Sequence, residues 1–150
     1  MNRKQFLQTA ALAGVSLLSS PFVTFAKPPS KYRTALIGSG WWGMNILRCA
    51  MQAGSAKVVA LCDVDQRQLA AATSEVQKLN GDKPKLYKDY REMLTREKPE
   101  IVIVATPDHW HALPTIMAMQ QGAHVYVEKP VGHTIGEGKA MLAAARKYGK

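Results

Sequence analysis

The chain has 150 residues, of which 47% are hydrophobic and 21% are charged. This composition is typical of a globular protein and excludes an intrinsically disordered chain, and the length suits one domain. The net charge is +9, but the Lys and Arg residues are scattered and form no block interleaved with aromatic residues, so we expect no nucleic-acid partner.

The first 26 residues have the pattern of a targeting segment rather than of a fold. Arg3 and Lys4 precede an uncharged apolar stretch over residues 9–18, and small residues follow, ending at Ala26. The stretch is far shorter than the roughly 20 residues that a membrane-spanning helix needs. We therefore expect a cleaved export signal over residues 1–26 and no stable membrane span after its removal. An uncleaved anchor or an amphipathic first helix is the alternative.

The beginning of this segment is similar to a twin-arginine export signal. Asn2-Arg3-Lys4-Gln5-Phe6-Leu7 follows that pattern, except that Lys4 stands where the second arginine would be. Proteins that use this route are exported already folded. We expect the mature protein to be exported, to the periplasm, and residues 27–31 to form a linker.

From residue 32 onward, the hydrophobic pattern alternates between strands and helices. Near-continuous apolar runs predict buried strands, and amphipathic stretches with capping residues predict helices. The predicted strands are Tyr32–Ile37, Val58–Cys62, Lys85–Tyr87, Ile101–Ala105 and Ala123–Val127. The predicted helices cover residues 41–52, 65–79, 89–96, 110–121 and 135–147, the last one opened by a capping box of Thr134 and Glu137.

Connections of helical length require parallel neighbouring strands and right-handed crossovers. The predicted fold is therefore α/β, a Rossmann-type doubly wound parallel sheet over residues 32–150. We expect this sheet to be truncated before a sixth strand. Cys49 and Cys62 fall in a predicted helix and a predicted strand, so we expect two buried thiols rather than a disulfide.

The segment Gly38-Ser39-Gly40-Trp41-Trp42-Gly43, here called the glycine turn, follows the first strand and opens the first helix. A G-x-G-x-x-G motif in that context, with an acidic residue at the end of the second strand, is typical of dinucleotide binding. Gly38 permits a sharp turn, Gly40 lets the backbone approach a pyrophosphate, and Gly43 lets the helix pack closely on the strand. The start of the helix offers free N–H groups to the phosphates.

Asp63 is the acidic residue that ends the second strand. It would accept hydrogen bonds from the adenosine ribose hydroxyls and repel a 2′-phosphate, so the expected cofactor is NAD rather than NADP. Arg67, one helical turn further on, could temper that preference. The alternative is that Asp63 only caps a strand and the glycines form an ordinary turn. Of Trp41 and Trp42, one would pack against the helix and the other would cover the cofactor, and the pattern leaves open which does which.

Two unusual segments occupy the loops after the fourth and fifth strands, where ligands bind in open α/β folds. They are Thr106-Pro107-Asp108-His109-Trp110-His111 and Glu128-Lys129-Pro130. Together with the glycine turn, in this order and spacing, they make residues 32–150 resemble the Gfo/Idh/MocA oxidoreductases. That family includes glucose–fructose oxidoreductase and inositol dehydrogenase.

The resemblance implies an NAD(P)-dependent oxidoreductase that acts on a sugar or polyol by hydride transfer. It implies that Lys129 is catalytic, faces the nicotinamide and the substrate, and stabilises a developing alkoxide. Glu128 would contact the cofactor or orient Lys129, and Pro130 would follow a cis bond that fixes the direction of the lysine. A surface ion pair of Glu128 with Lys129 is the alternative. The residues that would line the cleft near the nicotinamide ribose are Thr106, Pro107 and His111.

The family pattern also includes a second, α+β domain, which supplies most of the substrate pocket and the general base. We therefore expect this chain to be an inactive fragment of a homo-oligomeric parent enzyme, with an apolar face exposed and low solubility. Two alternatives remain open. One is a glycosidase of the same fold, which holds NAD tightly and oxidises its sugar transiently, and the other is a non-catalytic dinucleotide-binding module.

The histidines and Trp110 are further candidates for metal binding or substrate contact. His109 and His111 have no Cys or further acidic cluster nearby in the sequence, so we expect no metal site. Trp110 would either stack on a sugar or fill the core. We expect a structural role for His124, and the role of His133 stays open.

Overall fold

The computed structural model describes residues 31–150, so the expected export signal over residues 1–26 and nearly all of the expected linker lie outside the described residues. Within this part of the chain, strands and helices alternate. The strands are β1 (Tyr32–Ile37), β2 (Ala56–Cys62), β3 (Lys85–Tyr87), β4 (Ile101–Val104) and β5 (His124–Val127). The helices are α1 (Trp41–Gln52), α2 (Gln66–Asn80), α3 (Tyr90–Glu97), α4 (Ala112–Gln120) and α5 (Ile135–Tyr148), with a 3₁₀ turn at Asp108–Trp110 before α4.

The strands form one parallel sheet in the order β3-β2-β1-β4-β5. The chain moves outward from β1 to β3, and then returns to add β4 and β5 on the other side of β1. This is the strand order of a Rossmann-type doubly wound unit, so the predicted α/β fold class is confirmed. Because the strands are parallel, their carboxyl ends meet at one edge of the sheet, here called the carboxyl edge.

The central strands are buried on both faces. Ala35 and Ile37 of β1 belong to one apolar core, and Leu36 between them belongs to a second core on the other face, as the two-residue period of a strand requires. The helices supply Met93, Leu94 and Ala118 to the first core and Leu47, Leu69 and Val76 to the second. Burial on both faces is what the unbroken apolar runs predicted.

The two cysteines differ in exposure. Cys62 is buried in β2, and burial raises the pKa of its thiol to about 12. Cys49 is exposed, so the expectation of two buried thiols is wrong for this residue. Helix α1 turns Met44 and Leu47 toward the core. Cys49 lies two positions after Leu47, about 200° around the helix and thus on its solvent side.

The start of α5 holds the loop that precedes it. Thr134 Oγ1 accepts a hydrogen bond from the Glu137 N–H at 3.2 Å, and the Glu137 carboxylate accepts one from the Thr134 N–H at 2.9 Å. These two bonds confirm the capping box that the spacing predicted. They set the point at which the loop after β5, which contains residues 128–130, enters the helix.

Strand β5 forms one edge of the sheet, and large apolar side chains stay exposed on it and on the elements that follow. Tyr126, Val131, Ile135 and Leu142 are each more than half exposed. This agrees with the expected apolar face, and the low solubility expected from it stays a prediction. Among the helices of residues 31–150, none is both long and apolar enough to cross a membrane.

A buried carboxylate joins α3 to the sheet on the side away from the carboxyl edge. Glu97 is only 7% exposed. It accepts hydrogen bonds from the Tyr87 hydroxyl at 2.5 Å and from Lys85 Nζ at 2.9 Å, and Arg33 Nη2 lies 3.7 Å away. Burial alone would raise the pKa of Glu97, but the two hydrogen bonds and the neighbouring cations outweigh it and hold the pKa below its ordinary value of 4.5.

This pKa shift predicts how the stability of the fold depends on pH. A carboxyl group with a lowered pKa in the folded state stabilises the fold above its ordinary pKa, and that contribution is lost as the pH falls through the lowered value. Glu97→Gln should therefore reduce the free energy of unfolding by about 1.5–3 kcal/mol at neutral pH, and the difference from the wild type should shrink in acid. Urea unfolding at a series of pH values measures this. Glu92→Gln in the same helix, which changes an exposed pair with Arg96, is the control and should have little effect.

Candidate functional site

A cleft of about 530 Å³ opens at the carboxyl edge of the sheet. It brings together the ends of β1, β2 and β4, as the topology requires for ligand sites in open α/β folds. Predicted residues in its lining are Gly38, Gly40, Asp63, Thr106 and Pro107. Residues that were separated by almost 70 positions in the sequence thus border one cavity.

The glycine turn owes its shape to two close contacts. Gly38 has a φ of +90°, and a Cβ atom there would lie 2.6 Å from the Ala105 carbonyl oxygen, so only glycine fits. A Cβ at Gly43 would collide with the Gly38 carbonyl oxygen, which confirms the close approach of helix and turn. A Cβ at Gly40 would meet no atom within 4 Å. Space is therefore left open where a ligand would approach the backbone.

The start of α1 is uncapped. Gly40 is its N-cap residue and provides no side-chain hydrogen bond, and the first turn contains no acidic residue. Side chains cap the helices that begin after Asp65, Asp89 and Thr134, whereas α1 and α4 have no side-chain cap, and of these two α1 starts at the glycine turn. The N–H groups of the first turn of α1 and the positive end of its dipole are thus available to an anion at the cleft.

Asp63 both closes the turn after β2 and borders the cleft. Its carboxylate accepts the Ser39 N–H at 2.7 Å and the Asp65 N–H at 2.9 Å, one on each oxygen. Each oxygen keeps a second lone pair, so the group can also accept hydrogen bonds from ribose hydroxyls. Asp63 can therefore cap the end of β2 and bind a ribose at the same time. The Arg67 side chain, 92% exposed, pairs with Asp65 at 3.0 Å.

The loop after β4 contains an unsatisfied polar atom. Thr106 Oγ1 is buried and has no hydrogen-bond partner among the described residues. Buried polar atoms almost always have a partner, so a ligand in the cleft is a natural one for this hydroxyl. Together with the open space at Gly40 and the uncapped helix, this atom fits a bound dinucleotide.

His111 lies behind the cleft and joins two loops. It is 1% exposed. Its Nδ1 lies 2.7 Å from the Pro130 carbonyl oxygen, and its Nε2 lies 2.8 Å from the Thr106 carbonyl oxygen. The ring therefore lies between the Thr106 and Pro130 backbones and does not line the cavity.

The Glu128-Lys129-Pro130 segment follows β5 at the same edge. The Glu128 carboxylate accepts the Lys129 N–H at 2.8 Å and the indole N–H of Trp42 at 2.8 Å. These two bonds hold the pKa of Glu128 below its ordinary value. The Lys129–Pro130 peptide is cis, as the family resemblance implied. Within residues 31–150 the Lys129 ammonium makes no ion pair, so the surface-pair alternative with Glu128 is not found.

The three tryptophans all lie at this edge and are all exposed to solvent. Trp41 is 74% exposed and Trp42 is 44% exposed, with their ring centroids 5.3 Å apart, so neither ring is buried against α1 as was expected of one of them. Trp110 is 43% exposed and lines the cleft, which excludes the alternative that it fills the core.

The remaining histidines also lie at the surface. His124 in β5 is exposed. His133 Nδ1 lies 3.2 Å from the Asp108 carboxylate, which links the loop after β5 to the 3₁₀ turn. That contact lowers the pKa of Asp108. Among residues 31–150, His, Cys, Asp and Glu side chains form no group of three that could hold a metal ion.

One part of the cleft lining was not predicted from the sequence. Lys88, Asp89, Tyr90 and Arg91, between β3 and the first turn of α3, also line it. The signal that could have found them is topological. Because β3 is parallel to its neighbours, the residues that follow it must reach the carboxyl edge as well.

Comparisons with known proteins identify the family that the chain resembles. Residues 32–150 match the Gfo/Idh/MocA family model, described as an oxidoreductase family with an NAD-binding Rossmann fold. Glycosyl hydrolase family 109 protein 2 of Shewanella sp. (strain ANA-3) is 35% identical over 109 residues, which cover 70% of this chain and 24% of that protein. The glycosyl hydrolase family 109 protein of Shewanella pealeana is 29% identical over 160 residues, which cover 91% of this chain and 35% of that protein. The chain thus spans about a quarter to a third of the length of these curated relatives.

Two solved structures are similar to the chain. The WlbA dehydrogenase from Bordetella pertussis, in complex with NADH and UDP-GlcNAcA, superposes with a TM-score of 0.71 at 27% identity, covering 82% of this chain and 35% of that one. The myo-inositol 2-dehydrogenase from Lactobacillus plantarum superposes with a TM-score of 0.70 at 30% identity, covering 79% of this chain and 34% of that one. The family description confirms NAD as the expected type of cofactor. The family model covers the glycine turn, the Thr-Pro loop and the Glu-Lys-Pro loop, and the chain belongs to the Gfo/Idh/MocA oxidoreductase family.

Proposed function

We propose that residues 32–150 bind NAD and form the cofactor-holding part of a longer enzyme that removes hydride from a sugar or polyol. The observation on which the proposal rests is the uncapped start of α1 at the glycine turn, which opens onto a cleft of about 530 Å³ bordered by Asp63. The free amides of α1 would hold the pyrophosphate. Asp63 would accept hydrogen bonds from the ribose hydroxyls, and Thr106 Oγ1 would gain the hydrogen bond that it lacks.

Lys129 is the residue that we propose to assist the chemistry. NAD supplies the hydride acceptor when it is bound. The Lys129 side chain is exposed and unpaired within the described residues, while its own N–H and the Pro130 carbonyl are held by hydrogen bonds. Its ammonium would donate a hydrogen bond to the substrate hydroxyl and stabilise the negative charge that develops as the hydroxyl proton leaves to a base outside this chain.

The ligands and names of the solved relatives support this substrate class. The WlbA structure contains NADH and UDP-GlcNAcA, a sugar nucleotide, and the Lactobacillus plantarum protein is named for myo-inositol, a polyol. Both similarities exceed 25% identity over this domain. We also propose that the parent protein is a homo-oligomer.

A second candidate is glycoside cleavage through transient oxidation of the sugar. It is favoured by relatives at 35% identity that are named glycosyl hydrolase family 109. Both candidates begin with hydride removal and use the same residues of this chain. In assays of the parent protein, a dehydrogenase would accumulate NADH in step with its oxidised product. A glycosidase would cleave a p-nitrophenyl glycoside with no net NADH, and cleavage of that kind would rule out the first candidate.

The cofactor assignment predicts the effect of replacing Asp63. Asp63→Ala removes two charge-assisted hydrogen bonds to ribose, each worth about 1.5–3 kcal/mol, so NAD affinity should fall by at least about a hundredfold. Asp63→Asn keeps an acceptor for Ser39 but loses the charge, so the preference for NAD over NADP should shrink. Calorimetric titration of the chain with each dinucleotide measures both. Glu92→Ala, on the exposed face of α3, is the control, and unchanged NAD affinity in Asp63→Ala would show that the ribose assignment is wrong.

We further propose that residues 1–26 direct export to the periplasm by a twin-arginine-like route. The basic Arg3 and Lys4, the apolar stretch and the small residues before Lys27 support this proposal. When the chain is expressed in a Gram-negative bacterium, we expect a periplasmic product that begins at Lys27 by mass spectrometry. Arg3→Gln with Lys4→Gln should keep the chain in the cytoplasm. A cytoplasmic wild-type chain that retains its first 26 residues would contradict export.

A further inference from the structure

The Trp42 side chain connects two loops that lie 86 positions apart in sequence. Its backbone belongs to the glycine turn and to the first turn of α1. Its indole N–H donates a hydrogen bond to Glu128 Oε2 at 2.8 Å. One residue therefore contributes its backbone to the expected phosphate site and its side chain to the loop that contains Lys129.

The Glu128 carboxylate also binds the backbone of Lys129. Its other oxygen, Oε1, accepts the Lys129 backbone N–H at 2.8 Å. Each carboxylate oxygen thus has one donor, and a continuous path runs from the indole through the carboxylate to the Lys129 peptide. The pKa of Glu128 lies below its ordinary value because of the Lys129 N–H and then the Trp42 N–H, and the titratable side chains nearby are those of Lys129 and His111.

The backbone is also held on the other side of Lys129. The Pro130 carbonyl contacts the buried His111 ring at 2.7 Å, and that ring is fixed in turn by the Thr106 carbonyl. The peptide group before Lys129 and the peptide group after Pro130 are therefore both restrained. The His111 contact is buried, whereas the contact of Trp42 with Glu128 is exposed to solvent.

We propose that Trp42 is a positioning residue that links occupation of the glycine turn to the orientation of Lys129. This inference rests on the proposed function, because the ligand of the turn is NAD. A phosphate held by the first turn of α1 restrains the Trp42 backbone, the indole then restrains Glu128, and Glu128 restrains the peptide of Lys129. Trp41 offers the matched comparison, since it is 74% exposed and its indole has no hydrogen-bond partner among the described residues.

The test uses the full chain, labelled with ¹⁵N and ¹³C for NMR. Trp42→Phe keeps an aromatic ring but removes the N–H donor, and Trp41→Phe is the matched control. In the absence of NAD, the carboxyl ¹³C signal of Glu128 is followed against pH. We expect its pKa to rise toward the ordinary value in Trp42→Phe and to stay at the wild-type value in Trp41→Phe, because only the first substitution removes a hydrogen bond to the charged carboxylate.

The second part adds NAD and follows two backbone amides, those of Gly40 and Lys129. In the wild type and in Trp41→Phe, NAD should shift both signals. In Trp42→Phe, the Gly40 shift should remain and the Lys129 shift should be lost. A merely structural role for the indole would not separate these two signals. Glu128→Ala, which removes the acceptor, should reproduce the loss at Lys129 and provides the same readout if Trp42→Phe does not fold.

The outcomes separate this inference from the proposed function. If the wild-type Gly40 amide does not respond to NAD, the proposed function is wrong and the link falls with it. If Gly40 responds and the Lys129 shift persists in both Trp42→Phe and Glu128→Ala, the link alone is wrong. An unchanged Glu128 pKa in Trp42→Phe would likewise overturn the inference, because the hydrogen bond would then not act on the carboxylate.

Discussion

The carboxyl edge of this domain depends on how closely the glycine turn approaches the backbone after β4. A single Cβ atom at Gly38 would lie 2.6 Å from the Ala105 carbonyl oxygen, and one at Gly43 would collide with the Gly38 carbonyl oxygen. Because neither atom is present, the turn lies directly against the start of the Thr106 loop. Helix α1 can then begin at the edge of the sheet with its first N–H groups uncapped, and the cleft forms between the turn, Asp63 and Thr106.

Polar contacts between loops complete this edge. Asp63 holds the turn through the Ser39 N–H, His111 joins the Thr106 and Pro130 backbones, and Trp42 reaches Glu128. Their shared effect is to restrain the backbone of several loops at the carboxyl edge while the Lys129 ammonium stays free of ion pairs within the described residues. This arrangement suits an ammonium group that stabilises a negative charge developing on the substrate, because a preorganised donor needs no rearrangement during the reaction.

The same machinery serves both reactions that the relatives suggest. Removal of hydride from a sugar carbon is the whole of a dehydrogenation and the first step of an oxidative glycoside cleavage. In the proposed function the cleft would bind the cofactor, and Lys129, which lies outside its lining, would act on the substrate. Discrimination between the two reactions would depend on groups that contact the rest of the sugar, and among the described residues Trp110 and His109 at the cleft are candidates for such contacts.

Sequence alone determined the local structure and the class of ligand. Unbroken apolar runs identified each strand to within two residues, and Thr134 with Glu137 identified the start of α5. The glycine spacing with Asp63 indicated a dinucleotide. These signals work because they depend on neighbours a few positions apart, where periodicity, capping and backbone sterics act.

Only the tertiary structure decided which side chains meet across the carboxyl edge. Sequence did not predict the contact of Trp42 with Glu128, the placement of His111 behind the cleft, or the lining by residues 88–91. It also left open the roles of Trp41 and Trp42, and it misjudged the exposure of Cys49. These features depend on strand order, on the crossing of each helix over the sheet and on side-chain rotamers. The strand order β3-β2-β1-β4-β5 places the ends of distant segments side by side, and a pattern read along the chain contains no distance between them.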